Sequence, residues 1–552
     1  MTKTPLLEID DVTLGIPASG HSVVRGASLS VAPGEIVGIV GESGSGKTML
    51  GRAVLGLAPP PISVMGGDIR FGGKSLGALD REAMRRLRGS GIAMVFQEPM
   101  TSLNPSLTIG RQLEEGLELH GTQDRAERRA AILSMLERVG IGDGAHALSA
   151  YPHEFSGGMR QRIMIAGAML MRPALLVADE PTTALDAVTQ RDVMDLLVSL
   201  TRENGTAVML ISHDLPMIAR YCSRIVVMQR GEVVETGSTA ELLAAPRHEY
   251  TRTLLSSLPL RAPSRSVASA PPIVSVRDIV VEFAGRKGLF RRTGVKQAVR
   301  GVSLDIRPGE VLAVVGGSGS GKTTLARVVA GLTAQRSGSV HFNGKPVGAG
   351  GAAYRDYRRN CQMVFQDPFS SLDPRMKVGA VVAESLRALP EVPRSEYASR
   401  VRAALENVAL DPALARHFPH ELSGGQRQRV AIARALVRRP SFVIADEAVS
   451  ALDVTVRAQV LKLLAELQAK FGFACLFITH DLSVVEQIAD RVIVMHEGRI
   501  VEEGSRDAIL DTPTHDYTRK LLGAIPVLEP AGEGGLRLRW RNEMPELSLN
   551  RH

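Results

Sequence analysis

The chain has few aromatics, few cysteines and no long apolar run, and each shortage narrows what it can be. Phe, Tyr and Trp make up 4% of its 552 residues, with one Trp, at position 540, while its apolar content is ordinary for a soluble protein. Only Cys222, Cys361 and Cys475 are present, far apart in sequence. They offer neither a metal-binding spacing nor a disulfide framework, which suits a reducing cytoplasm. Nowhere do about 18 consecutive apolar residues occur, so no membrane-crossing helix is expected. The opening stretch, Met1 to Asp10, lacks the apolar segment of a secretory signal, and none is expected. The net charge of +8 is modest for this length and reads as a solvated basic surface; a basic face toward anionic lipid or nucleic acid is the sharper alternative. A chain this long predicts two to four domains.

What is present is glycine in a telling arrangement. An apolar run, Ile36 to Val40, leads into GESGSGKT, Gly41 to Thr48, and then into a helix-compatible run from Met49. Strand, glycine-rich turn, Lys-Thr and helix is the order that a phosphate-binding loop needs. Gly41, Gly44 and Gly46, with Ser43 and Ser45 between them, let backbone N–H groups wrap a phosphate without Cβ clashes. The helix start adds free N–H groups and the positive end of its dipole. Lys47 can reach the β- and γ-phosphates of a nucleotide, and the Thr48 hydroxyl can ligate Mg²⁺. The same arrangement returns after Val311 to Val315 as GGSGSGKT: Gly316, Ser318, Gly319, Ser320, Gly321, Lys322 and Thr323, with Thr324 following.

The loop is one of five landmarks that occur twice in the same order. Gln97 and Gln366 follow Val-Phe, Ser156 and Ser423 each begin Ser-Gly-Gly, Glu180 and Glu447 each follow Ala-Asp, and His213 and His480 each precede Asp-Leu. The chain therefore reads as a tandem duplication. Within each half, apolar strand runs alternate with helical spacing, predicting an α/β fold with a mostly parallel sheet covered on both faces. Residues 110 to 150 carry helical spacing with many charges, a small helical subdomain. The expected organisation is a first nucleotide-binding domain over 1–260, a Pro/Ser/Ala-rich linker over 261–272, a second domain over 273–528 and a tail over 529–552 that is poorly ordered.

Hydrolysing a nucleotide requires a metal, a base and a sensor for the γ-phosphate. Asp179 and Asp446 end apolar strands, where a carboxylate can face Mg²⁺ beside the loop. Glu180 and Glu447 come next and suit a general base for the attacking water. Gln97 and Gln366 suit contact with Mg²⁺ or that water, and His213 and His480 suit contact with the γ-phosphate. Ser156, Gly157 and Gly158, like Ser423, Gly424 and Gly425, precede a helix and make a further anion-binding helix start.

These two sets, completed by VADEP and IADEA and by Ala184-Leu185-Asp186 and Ala451-Leu452-Asp453, resemble the ATP-binding subunits of ABC transporters over nearly the whole chain. The resemblance implies that two tandem P-loop domains pair head to tail, each ATP lying between one domain's phosphate loop and the other's Ser-Gly-Gly. Site one would then join Lys47, Thr48, Gln97, Asp179, Glu180 and His213 with Ser423, Gly424 and Gly425. Site two would join Lys322, Thr323, Gln366, Asp446, Glu447 and His480 with Ser156, Gly157 and Gly158. Three positions depart from the family pattern. Met159 stands where Gln426 keeps the usual Gln, Ala448 stands where Pro181 keeps Pro, and Ile16 stands where Phe283 keeps the aromatic that stacks on adenine. Two competent but unequal sites are expected.

Further stretches resemble the dipeptide, oligopeptide and nickel importer group: VFQEPMTSLNP from Val95, VFQDPFSSLDP from Val364, HEYTRTLLSSLP from His248 and HDYTRKLLGAIP from His515. That resemblance implies two membrane permease subunits gripped near the Gln97 and Gln366 loops, an extracytoplasmic solute-binding protein, and a peripheral position on the cytoplasmic face of the inner membrane. The basic insert Arg286 to Arg292 reads as a solvated loop, with permease or lipid contact as its alternative. The rival class is a soluble ABC ATPase acting on ribosomes or nucleic acid. Such proteins carry a long charged helical linker, zinc cysteines or coiled coils, none of which is seen here, so no nucleic-acid partner is expected.

Overall fold

Short runs of aliphatic residues without polar alternation become strands buried on both faces, and these set the architecture. The computed structural model describes residues 4–97, 102–121, 124–183, 185–256, 261, 270–283, 296–348, 350–367, 371–449, 452–531 and 535–540. Most of the linker, the basic insert, Ala184 and Ala451 lie outside the described residues. The chain divides into two compact units, one of Met1–Ser256 with Ala524–His552 and one of Ser257–Gly523.

The strands of the first unit are β1 (Leu7–Ile16), β2 (His21–Val31), β3 (Ile36–Val40), β4 (Ser63–Phe71), β5 (Lys74–Ser75), β6 (Ile92–Val95), β7 (Leu175–Asp179), β8 (Ala207–Ile211), β9 (Arg224–Gln229) and β10 (Glu232–Ser238). They form two sheets. One has the order β10-β9-β3-β8-β7-β6, parallel except for the edge strand β10. Every residue of β3, β7 and β8 is buried. The other has the antiparallel order β2-β1-β4-β5. The sequence reading anticipated the parallel sheet but not this second one, because β2 has no clean alternation and pairs with β1 through several register shifts. The helix Lys47–Val54 shares a core with both sheets through Leu50, Ala53 and Val54. A Cβ on Gly51 of that helix would stand 2.8 Å from Ile211 Cδ1, so a glycine there permits the close approach to β8.

Residues 110 to 150 are helical as expected, in Ile109–His120, Arg125–Arg138 and Gly144–Ser149. The helix Ala187–Asn204 is punctuated by chemistry at both ends: the Asp186 carboxylate accepts the Thr189 N–H at 3.2 Å, and Gly205 closes it at φ +66°.

The second unit repeats this plan with β11 (Val274–Phe283), β12 (Lys296–Ile306), β13 (Val311–Val315), β14 (Ser337–Phe342), β15 (Lys345–Pro346), β16 (Cys361–Val364), β17 (Phe442–Asp446), β18 (Ala474–Ile478), β19 (Arg491–His496) and β20 (Arg499–Ser505). Its sheets have the orders β12-β11-β14-β15 and β16-β17-β18-β13-β19-β20, strand for strand those of the first unit.

The described part of the tail departs from expectation. β21 (Pro526–Ala531) and β22 (Gly535–Trp540) pair antiparallel, from Pro526 opposite Trp540 to Ala531 opposite Gly535. This hairpin packs against the helices Leu215–Tyr221 and Thr239–Ala244 of the first unit. A lone two-stranded hairpin is marginal in water, so its order comes from that tertiary docking, which local composition does not reveal. No helix among the described residues is long and apolar enough to cross a membrane.

Candidate functional site

Each phosphate loop is shaped by what its first glycine must avoid. Gly41 has φ +155°, and a Cβ there would stand 2.1 Å from the Met228 carbonyl oxygen on β9. Gly316 repeats this at φ +151°, 2.1 Å from the Met495 oxygen. No other residue fits. The loop then delivers Lys47 as the first residue of its helix, almost wholly buried. Its ammonium donates to the carbonyls of Gly41 and Glu42, both at 2.7 Å, and to Ser45 Oγ at 3.2 Å. Lys322 donates to the carbonyls of Gly316 and Gly317, both at 2.9 Å. Both cations thus sit within their own loops, held by neutral acceptors.

The strand ends bring the acids to the loop. Thr48 Oγ1 donates to Asp179 Oδ1 at 3.0 Å, and Thr323 Oγ1 to Asp446 Oδ1 at 3.2 Å. Burial pushes the carboxyls of Asp179 and Asp446 above the ordinary aspartate range, against the stabilising hydroxyl bond. Asp179 Oδ2 is buried and has no hydrogen-bond partner among the described residues. An orphaned carboxylate oxygen beside a threonine hydroxyl is an all-oxygen donor set, and it fits a hard cation such as Mg²⁺.

The next residue turns the chain abruptly. Glu180 and Glu447 adopt φ +46° and +47°, sparsely populated for a side-chain-bearing residue. Their backbone N–H groups bond the carbonyls of Ile211 at 2.8 Å and Ile478 at 2.9 Å, which holds the turn. The turned carboxylate meets two groups from distant segments. Glu180 Oε1 lies 3.0 Å from His213 Nδ1, and Glu180 Oε2 accepts from Gln97 Nε2 at 2.8 Å and from Thr183 Oγ1 at 2.9 Å. In the second unit, Glu447 Oε1 lies 3.3 Å from His480 Nδ1, and Glu447 Oε2 accepts from Gln366 Nε2 at 2.7 Å. Burial is the largest single influence and raises the Glu180 and Glu447 carboxyls, but the histidine contacts, the Lys47 and Lys322 charges and, for Glu180, the Thr183 hydroxyl together leave both below the ordinary glutamate range. Each is therefore ionised at neutral pH, as a base must be.

Ser156 caps the helix Gly157–Met169 by accepting the Met159 N–H at 3.3 Å, and Ser423 caps Gly424–Leu436 by accepting the Gln426 N–H at 3.3 Å. Gln426 Oε1 also accepts the Ser423 N–H at 3.0 Å, a reciprocal bond that Met159 cannot make. Phe283 ends β11 and is 49% exposed, whereas Ile16 ends β1 half-buried. Thr324 lies half-buried in the helix Lys322–Val329.

Two features escaped the sequence reading. The strained turn at Glu180 and Glu447 has no signal in residue type. The hydroxyls of Tyr250 and Tyr517 accept the N–H groups of Glu42 at 2.9 Å and Gly317 at 2.8 Å, inside the phosphate loops. Both tyrosines belong to the HEYTR and HDYTR stretches, whose repetition was the available clue.

A duplicated glycine-rich loop with a Thr–Asp pair and a Gln–Glu–His cluster could serve nucleotide hydrolysis, and comparison with known proteins shows the family. A family model for ABC transporters matches residues 24–183 and 299–450, and the chain belongs to that family. It is an ATPase of transport with two ABC domains in one chain. More narrowly, a model for the oligopeptide/dipeptide transporter C-terminal region matches residues 234–285 and 501–550, once after each ABC domain. The chain is similar to the glutathione import ATP-binding protein GsiA of Pectobacterium atrosepticum, 45% identical over 562 residues that cover 95% of this chain and 90% of that one. It is equally similar to the peptidoglycan transport ATP-binding protein YejF of Agrobacterium fabrum, 45% identical over 526 residues, covering 94% and 96%. Among solved structures, cbiO1 from Clostridium perfringens, part of the ABC transporter complex cbiONQ, is 31% identical and covers 44% of this chain and 91% of that one, with a TM-score of 0.38.

Proposed function

We propose that this chain drives an importer of peptides or related small solutes, glutathione among them, with two ATP sites of unequal quality. The observation that carries the reading is the complete set in each unit: a buried loop lysine, a Thr–Asp pair and a Gln–Glu–His cluster. The names of the similar proteins support import and the substrate class. In this reading Lys47 and Lys322 leave the loop carbonyls for the β- and γ-phosphates of ATP. Glu180 and Glu447 accept a proton from the attacking water, while Gln97 and Gln366 orient it. His213 and His480 hold those carboxylates and touch the γ-phosphate. Thr48 with Asp179, and Thr323 with Asp446, would hold Mg²⁺, with Gln97 and Gln366 beside it; the cation neutralises phosphate charge when bound.

Ser423, Gly424 and Gly425 would complete the first site, and Ser156, Gly157 and Gly158 the second, so that ATP closes the pair and hydrolysis releases it. Fusion keeps the two halves at high effective concentration. The permease subunits would dock near the Gln97 and Gln366 loops on the cytoplasmic face of the membrane, with an extracytoplasmic binding protein delivering the solute. The aromatic ring of Phe283 and the reciprocal cap at Ser423 belong to different sites in this pairing, so neither site holds both advantages.

The test is steady-state ATPase activity of single variants. Glu180→Gln and Glu447→Gln should each lower turnover by roughly 10²-fold at the altered site. Lys47→Ala and Lys322→Ala should lower activity to different extents. Unchanged activity in both glutamine variants would sink the assignment, and identical effects of the two lysine variants would sink the asymmetry.

A further inference from the structure

The HEYTR and HDYTR stretches have no part in the chemistry above, yet each sends one side chain into a phosphate loop. We propose that Tyr250 and Tyr517 are positioning residues through which the segment after each ABC domain sets the nucleotide affinity of its own loop. The inference rests on the proposed assignment of the loops as the ATP sites.

The geometry singles out one peptide group. In the first unit its carbonyl, Gly41 C=O, accepts from the Lys47 ammonium at 2.7 Å, and its N–H, on Glu42, donates to Tyr250 Oη at 2.9 Å. In the second unit Gly316 C=O accepts from Lys322 at 2.9 Å, and the Gly317 N–H donates to Tyr517 Oη at 2.8 Å. The peptide plane is thus held at both ends. A lysine that turns toward a phosphate gives up its hold on the carbonyl, and the tyrosine hydroxyl then remains to keep the plane oriented.

Each tyrosine is itself anchored to an edge strand by the same chain of bonds. The Glu235 carboxylate on β10 accepts the N–H groups of Arg247 at 2.8 Å and His248 at 3.0 Å, and His248 Nδ1 accepts the Tyr250 N–H at 3.1 Å. On β20, the Glu502 carboxylate accepts from Thr514 N–H at 2.6 Å and His515 N–H at 3.2 Å, and His515 Nδ1 accepts the Tyr517 N–H at 3.1 Å. Acid, histidine and tyrosine recur in both halves although Glu42 and Gly317 differ, so the contact depends on the loop backbone and not on its side chain. The Tyr517 ring also stacks on His496, centroids 3.8 Å apart at 24°, whereas Gln229 holds the matching end of β9. That stack keeps the second ring in place without its hydroxyl, so Tyr517→Phe isolates the hydrogen bond.

A loop released at this peptide must be ordered again when nucleotide binds, which weakens binding and leaves the chemical step alone. The full chain should be titrated with a fluorescent ATP analogue and assayed for ATPase activity. Tyr250→Phe and Tyr517→Phe should each weaken binding at one site by roughly fivefold, the worth of one neutral hydrogen bond. The KM for ATP should rise with kcat nearly unchanged, and the melting temperature without nucleotide should stay at the wild-type value. Wild-type affinity in both variants would overturn the proposal, as would a change confined to kcat or to melting without nucleotide. Lys47→Ala and Lys322→Ala separate the two levels: if they bind nucleotide normally, the loop assignment itself fails, whereas if they lose binding while the phenylalanine variants match wild type, only the tyrosine inference fails.

Discussion

Gly157 and Gly158 are adjacent, and the structure requires a glycine at only one of them. A Cβ on Gly158 would stand 2.5 Å from Thr189 Cγ2, and one on Gly425 would stand 2.6 Å from Val456 Cγ1, so these two let their helices pack. A Cβ on Gly157 would find Leu185 Cδ2 at 3.6 Å, an ordinary contact, and one on Gly424 nothing within 4 Å. Packing within each unit therefore leaves room for a side chain at the first glycine, and under the proposed pairing a phosphate would approach that position. Gly158→Ala should destabilise the chain by about 1–3 kcal/mol through overpacking. Gly157→Ala should change stability by no more than about 0.5 kcal/mol yet lower ATPase activity. Denaturant unfolding alongside the ATPase assay checks both; full activity in Gly157→Ala would remove the phosphate from that helix start. The residue types at these positions were legible in the sequence, but the difference between the two glycines was not. It depends on Thr189 and Val456, which arrive from the following helix.

Among elements, the two Ser-Gly-Gly helices differ by one cap bond. Gln426 returns a bond to the Ser423 N–H, and Met159 has no acceptor to return one to Ser156. Met159→Gln should complete the capping box and stabilise the first unit by about 0.5 kcal/mol, and Gln426→Met should destabilise the second by a similar amount. Unfolding midpoints of the full chain give the answer, and an unchanged midpoint in Gln426→Met would show that the reciprocal bond adds nothing. The helices and parallel strands themselves were legible, because unbroken apolar runs such as Ile36–Val40 and caps such as Asp186 act over a few residues. The antiparallel sheet was not. The pairing of β1 with β4 joins segments separated by the whole phosphate loop and its helix, and bulges blur the alternation that marks such strands.

For the whole molecule, the last segment of the chain belongs with its first unit. The hairpin Pro526–Trp540 packs on the helices Leu215–Tyr221 and Thr239–Ala244, and the first of these follows His213 closely in sequence. Ending the chain after Gly523 should uncover both helices. Backbone hydrogen exchange in them should become roughly tenfold faster, and the first unit should melt earlier. Unchanged exchange would mean that the hairpin protects neither.

The sequence by itself determined the duplication, the α/β class, the two glycine-rich loops and which residues are the candidates for acid, base and γ-phosphate contact. Each of these is written in local spacing, in residue types that only a few backbone shapes accept. Tertiary structure alone decided how those residues meet. The positive-φ turn that swings Glu180 toward Gln97 and His213 is held by a hydrogen bond to Ile211 on the neighbouring strand. The tyrosine on the phosphate loop and the hairpin on the first unit likewise join segments far apart in the chain. Such contacts depend on sheet order and register, and these follow from the balance of the whole packed core, not from any stretch of it.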